Sequence, residues 1–236
     1  MLPAKTSEQN KDLTTDSAWG SENASSKDLV IPKIQIAQAN SKVCKEGFCR
    51  PGDLFHSLTK EILAAKGGKI EILPILCIGT WVITTPKPIG GGFPEFIRKE
   101  PLTPQNDSEL WKIEDFEDGK PVVRNKCLTY LTLLVKDIKG FPFFIDFQNT
   151  NKGGGKLLST IIQENKFKGH PAPHRVVELS STEKSYKQNS WFIISVAPTR
   201  EVKKDELAQA KKWYDIFSKA QVTAHMEAEE EDNGVS

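Results

Sequence analysis

Three glycines stand between two lysines, directly ahead of an apolar run, in NKGGGKLLST, residues 151–160, and that juxtaposition raises the question of a phosphate site. A full phosphate loop needs a further glycine five positions before the last Gly-Lys pair and a Ser or Thr directly after the lysine, whose hydroxyl holds Mg²⁺. Thr150 and Leu157 occupy those positions, so the metal has no ligand. No downstream strand ends in the aspartate that would supply a second one. What remains is milder: the N–H groups of Gly153 to Gly155 and the Lys156 charge, at the start of a helix, can meet a phosphate oxygen. The same glycines also serve a flexible strand-to-helix turn.

Two other constellations carry chemistry on paper. Cys44 and Cys49, with His56 downstream, offer zinc two thiolates and an imidazole. A second close pair is missing, so the ligand set is incomplete and a structural pair of thiols is expected instead. Asp115, Glu117 and Asp118 lie beside Gly119 and read as a solvated turn. The four histidines, His56, His170, His174 and His225, stand near no Ser or Cys that makes a triad, so the chain is not expected to be an enzyme and no cofactor is expected.

Charge is informative once resolved along the chain. The formal net charge is +1, but the end of the chain holds Glu227, Glu229, Glu230, Glu231 and Asp232 without a base. Between Gly140 and Ser190 the bases Lys152, Lys156, Lys166, Lys168, Arg175, Lys184 and Lys187 outnumber the acids Asp146, Glu164, Glu178 and Glu183. A mildly basic body with an acidic tail points to a polyanionic partner with which the tail competes. No run approaches the 18 apolar residues of a membrane span and no apolar signal core is present, so a cytoplasmic protein with no membrane partner is expected.

The elements that must position these groups follow from pattern. At 236 residues with 38% hydrophobic content, one main domain with tails is expected: a polar arm over 1–28, a body over 29–221 and an acidic tail over 222–236. LVIPKIQIAQ reads as an edge strand, Pro51-Gly-Asp53 as a turn, and KIEILPILCIGTWVITT as one long or bent strand with Pro74 and Gly79 as breaks or bulges. Residues 86–121 read as a long exposed loop insertion. CLTYLTLLVKD and FPFFIDFQNT form a hairpin, KLLSTIIQEN a short amphipathic helix, and HRVVELSSTEK and SWFIISVAPT two more strands joined by a loop over 185–189. Residues 201–221 form a C-terminal helix. Six or so strands with one helix inserted between the later ones predict a mainly β (α+β) fold, an oligonucleotide-binding (OB-fold-like) β-barrel.

Single-stranded nucleic acid asks for positive charge along a groove and aromatic faces on which bases stack. In their strands, Tyr130 has the opposite parity to Leu131 and Leu133, and Phe144 shares its face with Asp146 and Gln148. Both therefore read as aromatics set among polar neighbours. Trp81 and Trp191, in strands apolar on both faces, complete the aromatic set, and Lys152, Lys156, Lys166, Lys168 and Arg175 supply the backbone contacts.

The order of these segments resembles a family. IPKIQIAQANS, CRPGDLFHSLTKEI, KIEILPILCIGTWVI, ELWKIEDFEDGKPVVRNKCLTYL, FPFFIDFQNTNKGGGKLLSTII, RVVELSS, SWFIISVAPTREV and WYDIF, from about Ile31 to Phe217, look like tailed-phage single-stranded DNA-binding proteins. The resemblance implies an OB-type barrel acting in phage replication or recombination, in the host cytoplasm, with single-stranded DNA as partner and replication or recombination proteins recruited through the acidic tail. The tail here ends Asn-Gly-Val-Ser, without the terminal aromatic usual in such tails. On this reading Gly153–Lys156 is a turn that sets Lys156 on a DNA phosphate. The rival expectations are a nucleotide-binding enzyme using that loop and a phage structural or scaffolding protein.

Overall fold

The computed structural model describes residues 30–169 and 173–219, so the expected arm over 1–28 and the acidic tail over 222–236 lie outside the described residues. Two long strands form its spine. β4 (Lys69–Thr84) and β7 (Lys120–Leu134) pair antiparallel over most of their length, roughly 50 Å at about 3.3 Å per residue. Shorter elements precede them: β1 (Ile34–Ile36), the four-residue α1 (Lys42–Lys45), β2 (Leu54–His56) and β3 (Ile62–Ala64), whose strands form a small sheet in the order β1-β2-β3. The remaining elements are β5 (Phe96–Pro101), β6 (Lys112–Glu117), β8 (Phe143–Phe147), α2 (Lys152–Phe167), β9 (Arg175–Tyr186), β10 (Asn189–Glu201) and α3 (Lys204–Lys219).

Each end of the spine is extended differently. At one end β9 pairs with the start of β4 and with β10, and β8 pairs with β7, giving β10-β9-β4-β7-β8. This part curls into a half-barrel. β1 runs beside β8 through a parallel bridge between Lys33 and Phe144, and the Gln38 side chain both donates to and accepts from the Phe192 backbone, joining the first segment to β10. The expected break at Pro74 is present as a register shift between Pro74 and Leu76. Gly79 is not a break: it pairs with Leu128, and a Cβ there would stand 2.7 Å from Leu102.

At the other end, β5 and β6 flank β4 and β7 in a four-stranded arm, β5-β4-β7-β6. Residues 86–121 are therefore not one long loop. Their strands escaped notice because FIRKEP and KIEDFE are rich in charge and show little apolar alternation, whereas backbone groups offered by the overlong β4 and β7 supply the ladder. Arg98 on β5 bridges Glu100 and Glu117, and Arg124 on β7 bridges the same two carboxylates. An ion pair between the two outer strands of a four-stranded sheet requires the arm to curl on itself, with Trp81, Ile83 and Val122 buried together as a small core.

The half-barrel interior holds Ile34, Leu54, Ile70, Ile72, Tyr130, Ile145, Phe147, Val177, Leu179 and Ile194, and α2 closes it with Leu158 and Ile161. α3 lies outside, covering Leu73, Ile75, Leu133 and Val176 with Ala210, and reaching Leu131 and Phe144 through Phe217. Its first turn is fixed by Glu206, whose carboxylate accepts from the Lys203 backbone N–H and from both terminal nitrogens of Arg200. β4, β7 and β8 are thus covered on both faces, which explains their nearly continuous apolar runs.

Candidate nucleic-acid interface

The glycine run is helical. α2 begins at Lys152, four residues before the expected start, so Gly153, Gly154 and Gly155 form its first turns. A Cβ on Gly154 would stand 2.7 Å from the Phe147 ring and 2.8 Å from the Ile194 carbonyl oxygen, and one on Gly155 would stand 2.6 Å from Phe147 Cβ. Glycine lets the helix backbone lie directly on β8 and β10. The residues that resemble a phosphate loop are therefore explained by close packing, and the strand-to-helix turn lies before them, in the single 3-10 turn Asn149–Asn151.

Three expected base-stacking residues are buried, and stacking needs an exposed ring. Tyr130 lies wholly inside the half-barrel, where its hydroxyl hydrogen-bonds Ser159 at 2.6 Å and reaches the Gly155 carbonyl at 3.3 Å. Burial pushes its pKa up. The parity argument separated Tyr130 from Leu131 and Leu133 correctly but reversed the faces: the leucines are on the outer side, under α3 and its neighbours. Phe144 is likewise buried beside Ile31, Leu131 and Phe217. Its polar face-mate Asp146, half-buried, is held ionised by Lys33 at 2.8 Å and by the Thr129 hydroxyl at 2.6 Å, which keep its pKa below the usual carboxylate value against the cost of desolvation. Trp81 is in the arm core, its Nε1–H donating to the Asn106 carbonyl at 3.0 Å.

Cys44, Cys49 and His56 do not gather. Cys49 is buried with Ala37 and Phe55, and Cys44 packs at the edge of that cluster. His56, next to Phe55 on the strand, turns to the opposite face, stacks edge-on against Phe143, and accepts the Leu58 and Thr59 N–H groups at Nδ1. Burial holds its pKa below the ordinary value. Among the described residues no group of three or more His, Cys, Asp or Glu side chains is placed to hold a metal.

The remaining expected residue, Trp191, has company that sequence reasoning missed. β9 and β10 are joined by a two-residue turn, Lys187–Gln188, so Tyr186 pairs with Asn189 and Lys184 pairs with Trp191. Paired residues project to one face, and these four share the face turned away from the core residue Phe192. Tyr186 is 65% exposed, with Lys187 Nζ 5.4 Å from its ring centre. The one acid near the tip, Glu183, projects to the other face, where it pairs with Lys66 at 2.9 Å. Expecting a five-residue loop over 185–189 hid this arrangement; a two-residue turn places Tyr186 and Trp191 together.

The start of α2 is a neighbour of this hairpin. The Asn151 side chain accepts the Ile194 N–H at 2.9 Å, three residues along β10 from Trp191. Lys152 and Lys156 follow on one side of the helix, both exposed, and Lys156 Nζ lies 5.8 Å from the Trp111 ring centre. Trp111, in the segment expected to be a loop, was missed because nothing in the sequence indicates that it meets Gly155 and Lys156. The structure thus forms two neighbouring groups: Lys184, Tyr186, Asn189 and Trp191 on the outer face of the hairpin, and Lys152 and Lys156 beside Trp111 at the start of α2, which abuts the free edge of β10. Lys166 and Lys168 lie at the far end of α2, roughly 20 Å away at about 1.5 Å per residue, Lys168 pairing with Glu164. Arg175 stands half-exposed at the base of β9.

No curated protein and no solved structure matches the chain. A family model described as Pam3 phage gp34-like protein matches residues 4–223. That span takes in every described strand and helix, and the chain belongs to this family of phage proteins.

Proposed function

We propose that the protein binds single-stranded DNA through an OB-type half-barrel, without catalysis, and protects or organises it during phage replication or recombination. The observation that carries this reading is the hairpin face on which Lys184, Tyr186, Asn189 and Trp191 lie together, beside Lys187 at the tip, while Glu183 points elsewhere. An exposed aromatic between lysines meets both demands of a single strand: a π-face for a base and charge for the adjoining phosphates. Lys152, Lys156 and Trp111 extend the same chemistry to the start of α2. The acidic residues beyond 226 would compete for these lysines and recruit replication or recombination proteins once DNA displaces them. Among the described residues no helix is long and apolar enough to cross a membrane, which accords with a host-cytoplasmic site of action.

The test is a pair of opposite substitutions. Trp191→Ala and Tyr186→Ala should each weaken binding to oligo-dT by about 1–3 kcal/mol; thermal unfolding should stay nearly unchanged in the exposed Tyr186 variant and fall modestly in Trp191→Ala, whose ring is half-buried. Tyr130→Ala should instead destabilise the fold by about 3–5 kcal/mol, as loss of a buried aromatic does. Unaltered affinity in both hairpin variants contradicts the proposed interface.

A further inference from the structure

The arm ends in an apolar knob. Between β4 and β5 the chain forms a closed loop, its neck fixed by the Thr85 N–H donating to the Glu95 carbonyl at 2.8 Å and the Glu95 N–H donating to Thr85 Oγ1 at 2.8 Å. Pro86, Pro88 and Pro94 stiffen the loop, Gly91 and Gly92 turn it in the left-handed region, and it presents Ile89 and Phe93 almost entirely to solvent. Two large apolar side chains held out on a stiffened loop leave apolar surface in water that docking would bury.

A matching recess lies at the other end of the molecule. Pro32, Leu63, Leu134, Phe141 and Phe143 form the apolar walls of a cleft of about 270 Å³, with His56, Glu61, Lys136 and Asp137 also lining it. It is smaller than the roughly 300 Å³ at which small-molecule sites begin, and suits one or two side chains. Its acids, Glu61 and Asp137, suit Lys87, the one cation of the knob; the knob's Glu95 suits Lys136. Among the described residues neither Lys87, Glu61 nor Asp137 has an ion-pair partner. Knob and cleft lie at opposite ends of one ladder. Thr84 at the base of the knob pairs with Val123, and Leu134 in the cleft is eleven residues further along β7, roughly 35 Å at about 3.3 Å per residue. A knob cannot reach its own cleft.

We propose that the knob of one molecule docks, through Phe93 and Ile89, into the cleft of a second copy. The contact uses two different surfaces of the chain, so it is head-to-tail and repeats along a row or closes into a ring. A protein organising a long single strand would be brought into register by such a repeat, but the contact itself does not depend on DNA.

The full-length protein is followed by sedimentation velocity from micromolar concentration upward, without DNA, and a benzophenone cross-linker in place of Phe93 maps what the knob touches. Concentration-dependent association is expected, weakened about tenfold by Phe93→Ala. Lys87→Glu and Glu61→Lys should each weaken it up to about fivefold, and combining them should restore it, since both sites are exposed and the pair is merely reversed. Cross-links should fall between residues 56 and 63 or 134 and 143 of another copy. A monomer at every concentration, no recovery in the double variant, or cross-links to a second knob or to residues 1–29 would overturn the proposal.

Discussion

Lys187 occupies the hairpin tip with φ at 54°, in the left-handed region that costs a side-chain-bearing residue about 1 kcal/mol or more. Glycine or asparagine is the usual solution there. Lys187 keeps its charge 5.4 Å from the centre of the Tyr186 ring, and in the proposed interface that charge meets a DNA phosphate. Lys187→Gly should therefore raise the stability of the protein by about 1 kcal/mol, read from thermal or urea unfolding, while weakening single-strand binding and lowering its salt dependence. A stabilised variant that binds as tightly as before would remove Lys187 from the interface. The residue scale is also where the sequence reading failed most plainly. Tyr130, Phe144 and Trp81 are aromatic residues in strands, and parity says which neighbours share a face but not which face meets solvent.

At the scale of elements, the glycine run of α2 gives an internally controlled prediction. Gly154→Ala should destabilise by about 1–3 kcal/mol, because the added methyl meets the Ile194 carbonyl oxygen, which is backbone and cannot rotate away. Gly153→Ala meets nothing within 4 Å and should stabilise by up to about 1 kcal/mol through helix propensity alone. Equal effects at the two positions would contradict the packing described. The arm makes a different prediction. The Arg98 hydrogen bond, reinforced by Arg124, lowers the Glu100 pKa below the ordinary carboxylate value. A depressed carboxylate contributes stability that is present above its unfolded pKa and is lost as pH falls through its folded one. Unfolding temperatures measured downward from about pH 5 should therefore fall less steeply in Glu100→Gln than in the wild type, and parallel curves would exclude the clasp as a source of acid sensitivity. Most of the half-barrel was legible because its strands carry long runs of Ile, Leu, Val and Phe bounded by turns. β5 and β6 were not: their side chains give little signal, and what makes them strands is the unpaired length of β4 and β7 beside them. The candidate site was legible only in composition, as lysines near aromatics; which of them share a face depends on register, and the two-residue turn at 187–188 fixes that register.

For the molecule as a whole, a curled half-barrel carries Lys184, exposed Tyr186 and half-buried Trp191 on the outer face of its β9–β10 hairpin and Lys152, Lys156 and half-buried Trp111 at the neighbouring start of α2, with a β arm extending its spine. We propose that these groups hold a single strand by stacking and by neutralising its phosphates. A labelled oligo-dT titrated with the full-length protein, against duplex of equal length at two salt concentrations, tests it most directly. The account predicts tighter binding to the single strand at both salts, because paired bases present no free face to Trp191 or Tyr186, and a loss of affinity with rising salt as released counterions cease to favour the complex. Equal affinity for the two forms, or no binding to either at low salt, would contradict it.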